Sequence, residues 1–253
     1  MPNILFASDI DGTLLVNHKI PQENIDAIRK LQSLGHSFCV VTGRDIGMIP
    51  KEIADLCDYY VTINGAGVFD KKRNAIYDCK IDKEDALKIY EIASNSSSRH
   101  IWVHNLDSYF DDDRHDHFEL PERSIYANYL PFQEVLSKDI YQVSFDYNPN
   151  NTEEFDEVFK KINSIDSVTL YPNNGGADVM SNKCSKALGL KILQDYAKFD
   201  KVYVCGDGEN DLPMIKAFES FGMITGSNEV KNNATHITNS VAEAIEYVLN
   251  NND

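Results

Sequence analysis

Two carboxylates stand one residue apart, Asp9 and Asp11, where the apolar run Ile4-Leu5-Phe6-Ala7-Ser8 gives way to Gly12-Thr13. A buried strand ordinarily continues apolar or stops at a neutral turn. This one ends in two negative charges, at the strand edge where α/β sheets form their ligand crevices. Like charges that close require a shared proton, a cation, or both. Complementary groups recur at comparable places along the chain. Thr42-Gly43 follow the apolar stretch Ser37-Phe38-Cys39-Val40-Val41, offering a hydroxyl and a backbone N–H that an anion can approach closely. Lys186 falls near the start of a helical stretch, a positive point charge beside helix-end N–H groups. Asp207, Asn210 and Asp211 follow Lys201-Val202-Tyr203-Val204-Cys205 in the loop Gly206-Asp207-Gly208-Glu209-Asn210-Asp211. Clustered carboxylates with few bases suit a hard divalent cation held through oxygen; Mg²⁺ fits because it accepts one or two carboxylates and keeps water and phosphate oxygens as its other ligands. Together these groups describe phosphoryl transfer. An ionised carboxylate can attack phosphorus and form an acyl-phosphate. A second carboxylate can protonate the leaving alcohol and then deprotonate the water. The cation and Lys186 would neutralise the equatorial oxygens.

The elements that must position these groups follow a regular rhythm. Apolar residues Ile25, Ile28, Leu31 and Leu34 mark one face of a helix over 22–34, closed by Gly35. A second helical stretch is expected over 45–56, interrupted by Pro50. Tyr59-Tyr60-Val61-Thr62-Ile63 reads as a third strand ending in Asn64-Gly65-Ala66-Gly67, and a hairpin is expected around Lys71-Lys72-Arg73-Asn74. Strands separated by helices, each ending in a polar or glycine-bearing loop, predict a parallel sheet whose right-handed crossovers set those loops side by side. From about Asp82 the pattern changes. A helix over 83–93, a strand over 100–104, an acidic segment over 107–122, an alternating strand over 141–147, a helix over 153–162 and a strand over 168–171 suggest an antiparallel α+β insertion ending near 177–180. The first pattern then resumes, with helices over 183–196, 212–218 and 241–249 and strands over 201–205 and 221–224.

The fold class expected is therefore α/β, a Rossmann-like three-layer core with a mainly parallel sheet (1–81 and 181–253) plus an inserted α+β cap (82–180). A chain of 253 residues with 42% hydrophobic and 25% charged residues can bury a substantial core. Its net charge of -16 argues against nucleic acid and anionic membrane as partners, since both require clustered positive charge. Five scattered cysteines (Cys39, Cys57, Cys79, Cys184 and Cys205) show no metal-type spacing and read as reduced, mostly buried thiols of a cytoplasmic protein. No basic leader and no membrane-length apolar segment are seen.

The four motifs Asp9-Ile10-Asp11-Gly12-Thr13, Thr42-Gly43-Arg44, Lys186 and Gly206-Asp207-Gly208-Glu209-Asn210-Asp211 resemble, in order, those of the haloacid-dehalogenase-like phosphatase superfamily. Asn64-Gly65-Ala66-Gly67 and the insertion between the second and third motifs resemble its Cof-like branch. The resemblance implies Asp9 as nucleophile and Asp11 as general acid/base, with Asp11 also giving Mg²⁺ a backbone carbonyl. It implies Asp207 as metal ligand, Asp211 and Asn210 supporting metal and phosphate, and Thr42, Gly43 and Lys186 holding the phosphoryl group. In one departure, Ala187 rather than glycine follows the motif lysine and Gly189 comes later, which leaves Lys183 as a rival. The reaction implied is Mg²⁺-dependent hydrolysis of a small phosphomonoester (sugar phosphate, nucleotide or cofactor phosphate), by a monomer or homodimer whose cap selects the substrate. Phosphomutase-like transfer and an idle binding protein are the competing expectations.

Two further features have bland explanations. Asp111-Asp112-Asp113-Arg114-His115-Asp116-His117 could suggest a second metal site, but its spacing sets no ligands on one face and favours a solvated acidic loop. Trp102, Tyr109, Tyr126, Tyr129 and Tyr141 could stack a substrate ring but are expected mainly as cap core.

Overall fold

A computed structural model describes residues 2–98, 100–106, 108–113, 128–146, 151–173 and 175–252. In chain order the elements are β1 (Ile4–Ser8), α1 (Gln22–Ser33), β2 (Ser37–Val41), α2 (Lys51–Ala54), β3 (Tyr59–Thr62), β4 (Gly67–Asp70), β5 (Ala75–Asp78), α3 (Lys83–Ser94), β6 (His100–His104), β7 (Ser108–Asp113), β8 (Asn128–Tyr129) and α4 (Phe132–Ser137). They continue with β9 (Gln142–Asp146), α5 (Thr152–Asn163), β10 (Val168–Asn173), β11 (Gly176–Ser181), α6 (Lys186–Ala197), β12 (Lys201–Gly206), α7 (Leu212–Ala217), β13 (Glu219–Met223), α8 (Asn228–Asn233), β14 (His236–Thr238) and α9 (Val241–Asn250).

The chain divides into two compact units, Met1–Thr42 with Pro50–Asp78 and Ser185–Asp253, and Gly43–Ile49 with Cys79–Cys184. In the first unit, eight strands among the described residues lie in the order β14-β13-β12-β1-β2-β3-β4-β5. β14 to β3 run parallel, and β4 and β5 add an antiparallel edge. The order runs one way from β1 to β2 and β3 and the other way from β12 to β13 and β14. The switch point, where such sheets bind ligands, is the β1–β12 boundary. Alternation along β1 sends Leu5 and Ala7 into a core shared with Leu190 and Leu193 of α6 and Met214 of α7. Phe6 points to the opposite layer, where its ring lies 6.2 Å from Phe221, itself 5.6 Å from Tyr247 of α9. Helices therefore cover both faces, the Rossmann-like three-layer arrangement expected.

In the second unit, the strands run β10-β11-β9-β6-β7-β8, and β8 pairs parallel while the others pair antiparallel. One face buries Ile101, Val103, Val143, Phe145, Ala177 and Val179 against α3 and α5. This is the α+β insertion. Its segment Cys79–Cys184 stands beside the expected 82–180, and the compact unit also takes in Gly43–Ile49. Within it, the buried Asp45 carboxylate lies 3.1 Å from Nδ1 of the buried His104.

Several expectations are corrected in detail. The helix expected over 45–56 is a single 3-10 turn, Ile46–Met48, followed by the short α2. Asp45 caps the turn by accepting from the Met48 N–H at 2.9 Å, and Pro50, which has no N–H to continue a helix, begins α2 as its N-cap. The helix expected from Lys183 starts at Lys186, because the Ser185 hydroxyl caps it by accepting from the Leu188 N–H at 3.2 Å. The acidic segment begins as strand β7 rather than as a loop, and Asp111 on it is buried, its carboxylate 3.5 Å from Nδ1 of His100. Arg114, His115, Asp116, His117 and Tyr126 lie outside the described residues, as does the side chain of Tyr129. Tyr109 and Tyr141 are buried, and the half-buried Trp102 stacks on His100 at 5.3 Å. All five cysteines are free thiols, and four of them are buried. Among the described residues no helix is long and apolar enough to cross a membrane.

Candidate active site

Asp9, Lys186, Asp207 and Asp211 come together at the switch point. β1 and β12 pair in register up to Ser8 and Cys205, and the Asp9 N–H continues the ladder by donating to the Cys205 carbonyl at 2.9 Å. The Asp9 backbone is thus an extension of the sheet. The carboxyl groups of Asp9, Asp207 and Asp211 present oxygens that all lie within 4.8 Å of one another. Lys186, only 1% exposed, donates from Nζ to Asp9 Oδ1 at 2.7 Å and to Asp211 Oδ1 at 2.6 Å. The rival Lys183 is exposed.

Each acid is held differently. Asp211 is fully buried; its other oxygen accepts the backbone N–H groups of Asp207 and Gly208 at 2.9 and 3.0 Å. Lys186 and the backbone of its own loop thus hold its two oxygens. Asp207 accepts the Thr13 hydroxyl at 2.7 Å, a contact absent from the sequence reading. Gly12 makes room for it: with φ of +89°, a Cβ there would fall 2.4 Å from Asp207 Oδ2. Asp11 is exposed, pairs with Leu15 in an isolated bridge, and lies outside the carboxylate cluster. Thr42 is buried at the end of β2, one strand over from β1, with its N–H donating to the Val61 carbonyl at 2.9 Å. Gly43 follows it, half-buried. Asn210 is half-buried, and its Nδ2 donates to Asn64 Oδ1 at 3.0 Å.

The electrostatics follow from this crowding. Burial, with the charges of Asp211 and Asp207 against the opposing pull of Lys186, pushes the Asp9 carboxyl up to about 8. Burial alone would lower the Lys186 ammonium, but the carboxylates of Asp211 and Asp9 outweigh it and raise it above its ordinary value. Burial and the neighbouring acids also raise Asp207, against the Thr13 hydrogen bond. Three close carboxylates face one ammonium, so the cluster as a whole is under-neutralised. An all-oxygen donor set with surplus negative charge fits a hard divalent cation such as Mg²⁺. Thr13 and Asn64 stand within motifs the sequence shows, but neither has a role there, because their partners lie 194 and 146 residues away. The signal available in the sequence was a glycine beside each, Gly12 and Gly65, both of which take positive φ in the structure.

The haloacid dehalogenase-like hydrolase family model matches residues 6–249. A curated relative, the 5-amino-6-(5-phospho-D-ribitylamino)uracil phosphatase of Bacillus subtilis, is 23% identical over 88% of this chain and 86% of its own length. Among solved structures, a haloacid dehalogenase-like hydrolase from B. subtilis superposes with a TM-score of 0.83 at 22% identity, covering 96% of this chain and 99% of that one. A HAD subclass IIB sugar phosphatase superposes with a TM-score of 0.79 at 22% identity, covering 97% and 98%. The chain belongs to the haloacid dehalogenase-like hydrolases.

Proposed function

We propose that this phosphatase is Mg²⁺-dependent and hydrolyses a small phosphomonoester through an aspartyl-phosphate on Asp9. The observation that carries the reading is the buried Asp9 carboxylate, its backbone fixed to β12, one oxygen on Lys186 and two further acids alongside. An attacking carboxylate must be held rigidly at the reacting distance, and sheet extension provides that. Asp9 Oδ forms a bond to phosphorus as the phosphorus–ester oxygen bond breaks, and Asp11 gives its proton to the departing alkoxide. Asp11 then takes a proton from water as the water oxygen attacks phosphorus, which returns Asp9 as a carboxylate and releases inorganic phosphate. Lys186, Thr42, Gly43 and Asn210 hold the phosphoryl oxygens throughout. Asp9, Asp207, the Asp11 backbone carbonyl and the Asp211 side would hold Mg²⁺, which when bound supplies positive charge to the phosphoryl group and to the crowded acids.

The substrate class is a small phosphorylated metabolite, supported by the relative named for a phosphorylated ribityl compound and by the net charge of -16, which disfavours polyanionic partners. We assign substrate selection to the second unit, as a cap, and a cytoplasmic site of action; a monomer or homodimer meets these needs. The test is release of free phosphate from a panel of sugar, nucleotide and vitamin phosphates with Mg²⁺. Wild type should release phosphate, and Asp9→Asn should lose on the order of 10³-fold or more in kcat. Acid quench of a reaction with ³²P-labelled substrate should trap label on wild type and none on Asp9→Asn. Phosphate release by Asp9→Asn at the wild-type rate would overturn the assignment.

A further inference from the structure

One turn outside the assigned residues touches three of them. Ile63, Asn64 and Gly65 follow β3 with φ of 49°, 49° and 99°. Left-handed backbone at a β-branched residue is a genuine outlier, and such strain persists only where the surroundings over-determine it. They do so here. The Asn64 N–H donates to the Thr42 carbonyl at 2.9 Å, and Asn64 Oδ1 accepts from Asn210 Nδ2 at 3.0 Å. Asn64 itself is 1% exposed. Gly65 lies against the cap of α6, where a Cβ would fall 2.0 Å from the Ser185 carbonyl oxygen and 2.9 Å from the Lys186 nitrogen. A single strained turn thus abuts Thr42, Asn210 and the start of the helix that carries Lys186.

We propose that Asn64 is a positioning residue for phosphoryl binding, acting through Asn210; this rests on the phosphatase reading above. A carboxamide carries two N–H groups on one nitrogen. Donation of one to Asn64 fixes which end of the Asn210 amide faces forward, and the second N–H remains for a phosphoryl oxygen. Without that acceptor the amide can turn and present its carbonyl oxygen to an anion. Two requirements converge on asparagine at position 64. The backbone is left-handed, which asparagine tolerates better than most residues with a side chain. The acceptor must also be neutral, since a carboxylate there would set a negative charge beside the phosphoryl group.

Asn64→Gly separates positioning from folding, because glycine eases the left-handed backbone while removing the acceptor. With p-nitrophenyl phosphate and Mg²⁺, and inorganic phosphate as competitive inhibitor, the variant should melt within a few degrees of wild type. Its inhibition constant for phosphate and its KM should both rise about tenfold, the scale of one misdirected hydrogen bond. In an Asn210→Ala background the same substitution should change neither constant further, since its effect runs through Asn210. A merely structural role would shift the melting temperature and leave the phosphate constant unmoved. Asn64→Asp keeps the acceptor oxygen and gives a second arm, in which the coupling to Asn210→Ala should persist. Wild-type constants in Asn64→Gly, or effects that simply add in the double variant, overturn the proposal alone. A wild type that hydrolyses no phosphate ester overturns the phosphatase reading and the proposal with it.

Discussion

Asp9 bears the cost of its own placement. Its folded carboxyl is pushed up to about 8 from an ordinary 3.8, so in the metal-free protein the folded state retains a proton that the unfolded chain has lost. Stability from this group must therefore fall as pH rises from about 4 to about 8, the direction set when the native state binds more protons. Lys186 works the other way: its raised pKa adds stability that is fully present below its ordinary 10.5 and is not lost inside that window. Thermal unfolding in EDTA at pH 5, 6, 7 and 8 should show the decline in wild type, and Asp9→Asn should reduce it, leaving the part that the raised Asp207 contributes. A flat wild-type profile would contradict the crowding described here. Gly12 makes a second residue-scale test. An alanine Cβ 2.4 Å from Asp207 Oδ2 must displace that carboxylate, so Gly12→Ala should raise the Mg²⁺ concentration for half-maximal activity by about tenfold, read from a Mg²⁺ titration of phosphate release.

At the scale of elements, the turn at 63–65 is where β3 meets α6. Gly65→Ala adds a Cβ 2.0 Å from the Ser185 carbonyl oxygen at a φ of +99°. The backbone alone costs about 1–2 kcal/mol, and the overlap a further 1–3 kcal/mol or so. Denaturant unfolding should show the loss, and activity should fall with it as the start of α6 shifts. Elements also explain what could be read in advance. Buried parallel strands are continuous apolar runs, so Ile4–Ser8, Ser37–Val41 and Lys201–Gly206 stand within a residue of expectation. The polar α8 and the three-residue β14 escaped, because neither carries a periodic signal and both are held by contacts made only in the fold, such as the register of Phe221 with His236. The same contrast divides the site. Asp9, Lys186, Asp207 and Asp211 were legible because their residue types are unusual at strand ends and helix starts. Thr13 was visible within its motif but had no role until Asp207 was beside it. The choice of Lys186 over Lys183 turned on where a helix begins, and Ser185 decides that.

Across the whole molecule, the carboxylate cluster predicts that ligand and stability are linked. Anything that binds the native cluster and not the unfolded chain stabilises by RT ln(1 + [L]/Kd), about 2.7 kcal/mol at a hundredfold excess over Kd. Mg²⁺ at millimolar concentration should therefore raise the melting temperature of EDTA-treated wild type, and Asp207→Asn should blunt the rise; calorimetry with and without Mg²⁺ decides it. Sheet order has a further consequence, one of timing. β1 is made well before β12, its partner across the switch point; Asp9 and Lys186 stand 177 residues apart. At synthesis rates of about 5–20 residues per second, the emerging chain carries a bare apolar strand edge for some tens of seconds or less. Until α6 and β12 leave the ribosome, Asp9 lacks both its counter-charge and the strand that fixes its backbone, so chains truncated before them should be aggregation-prone and inactive.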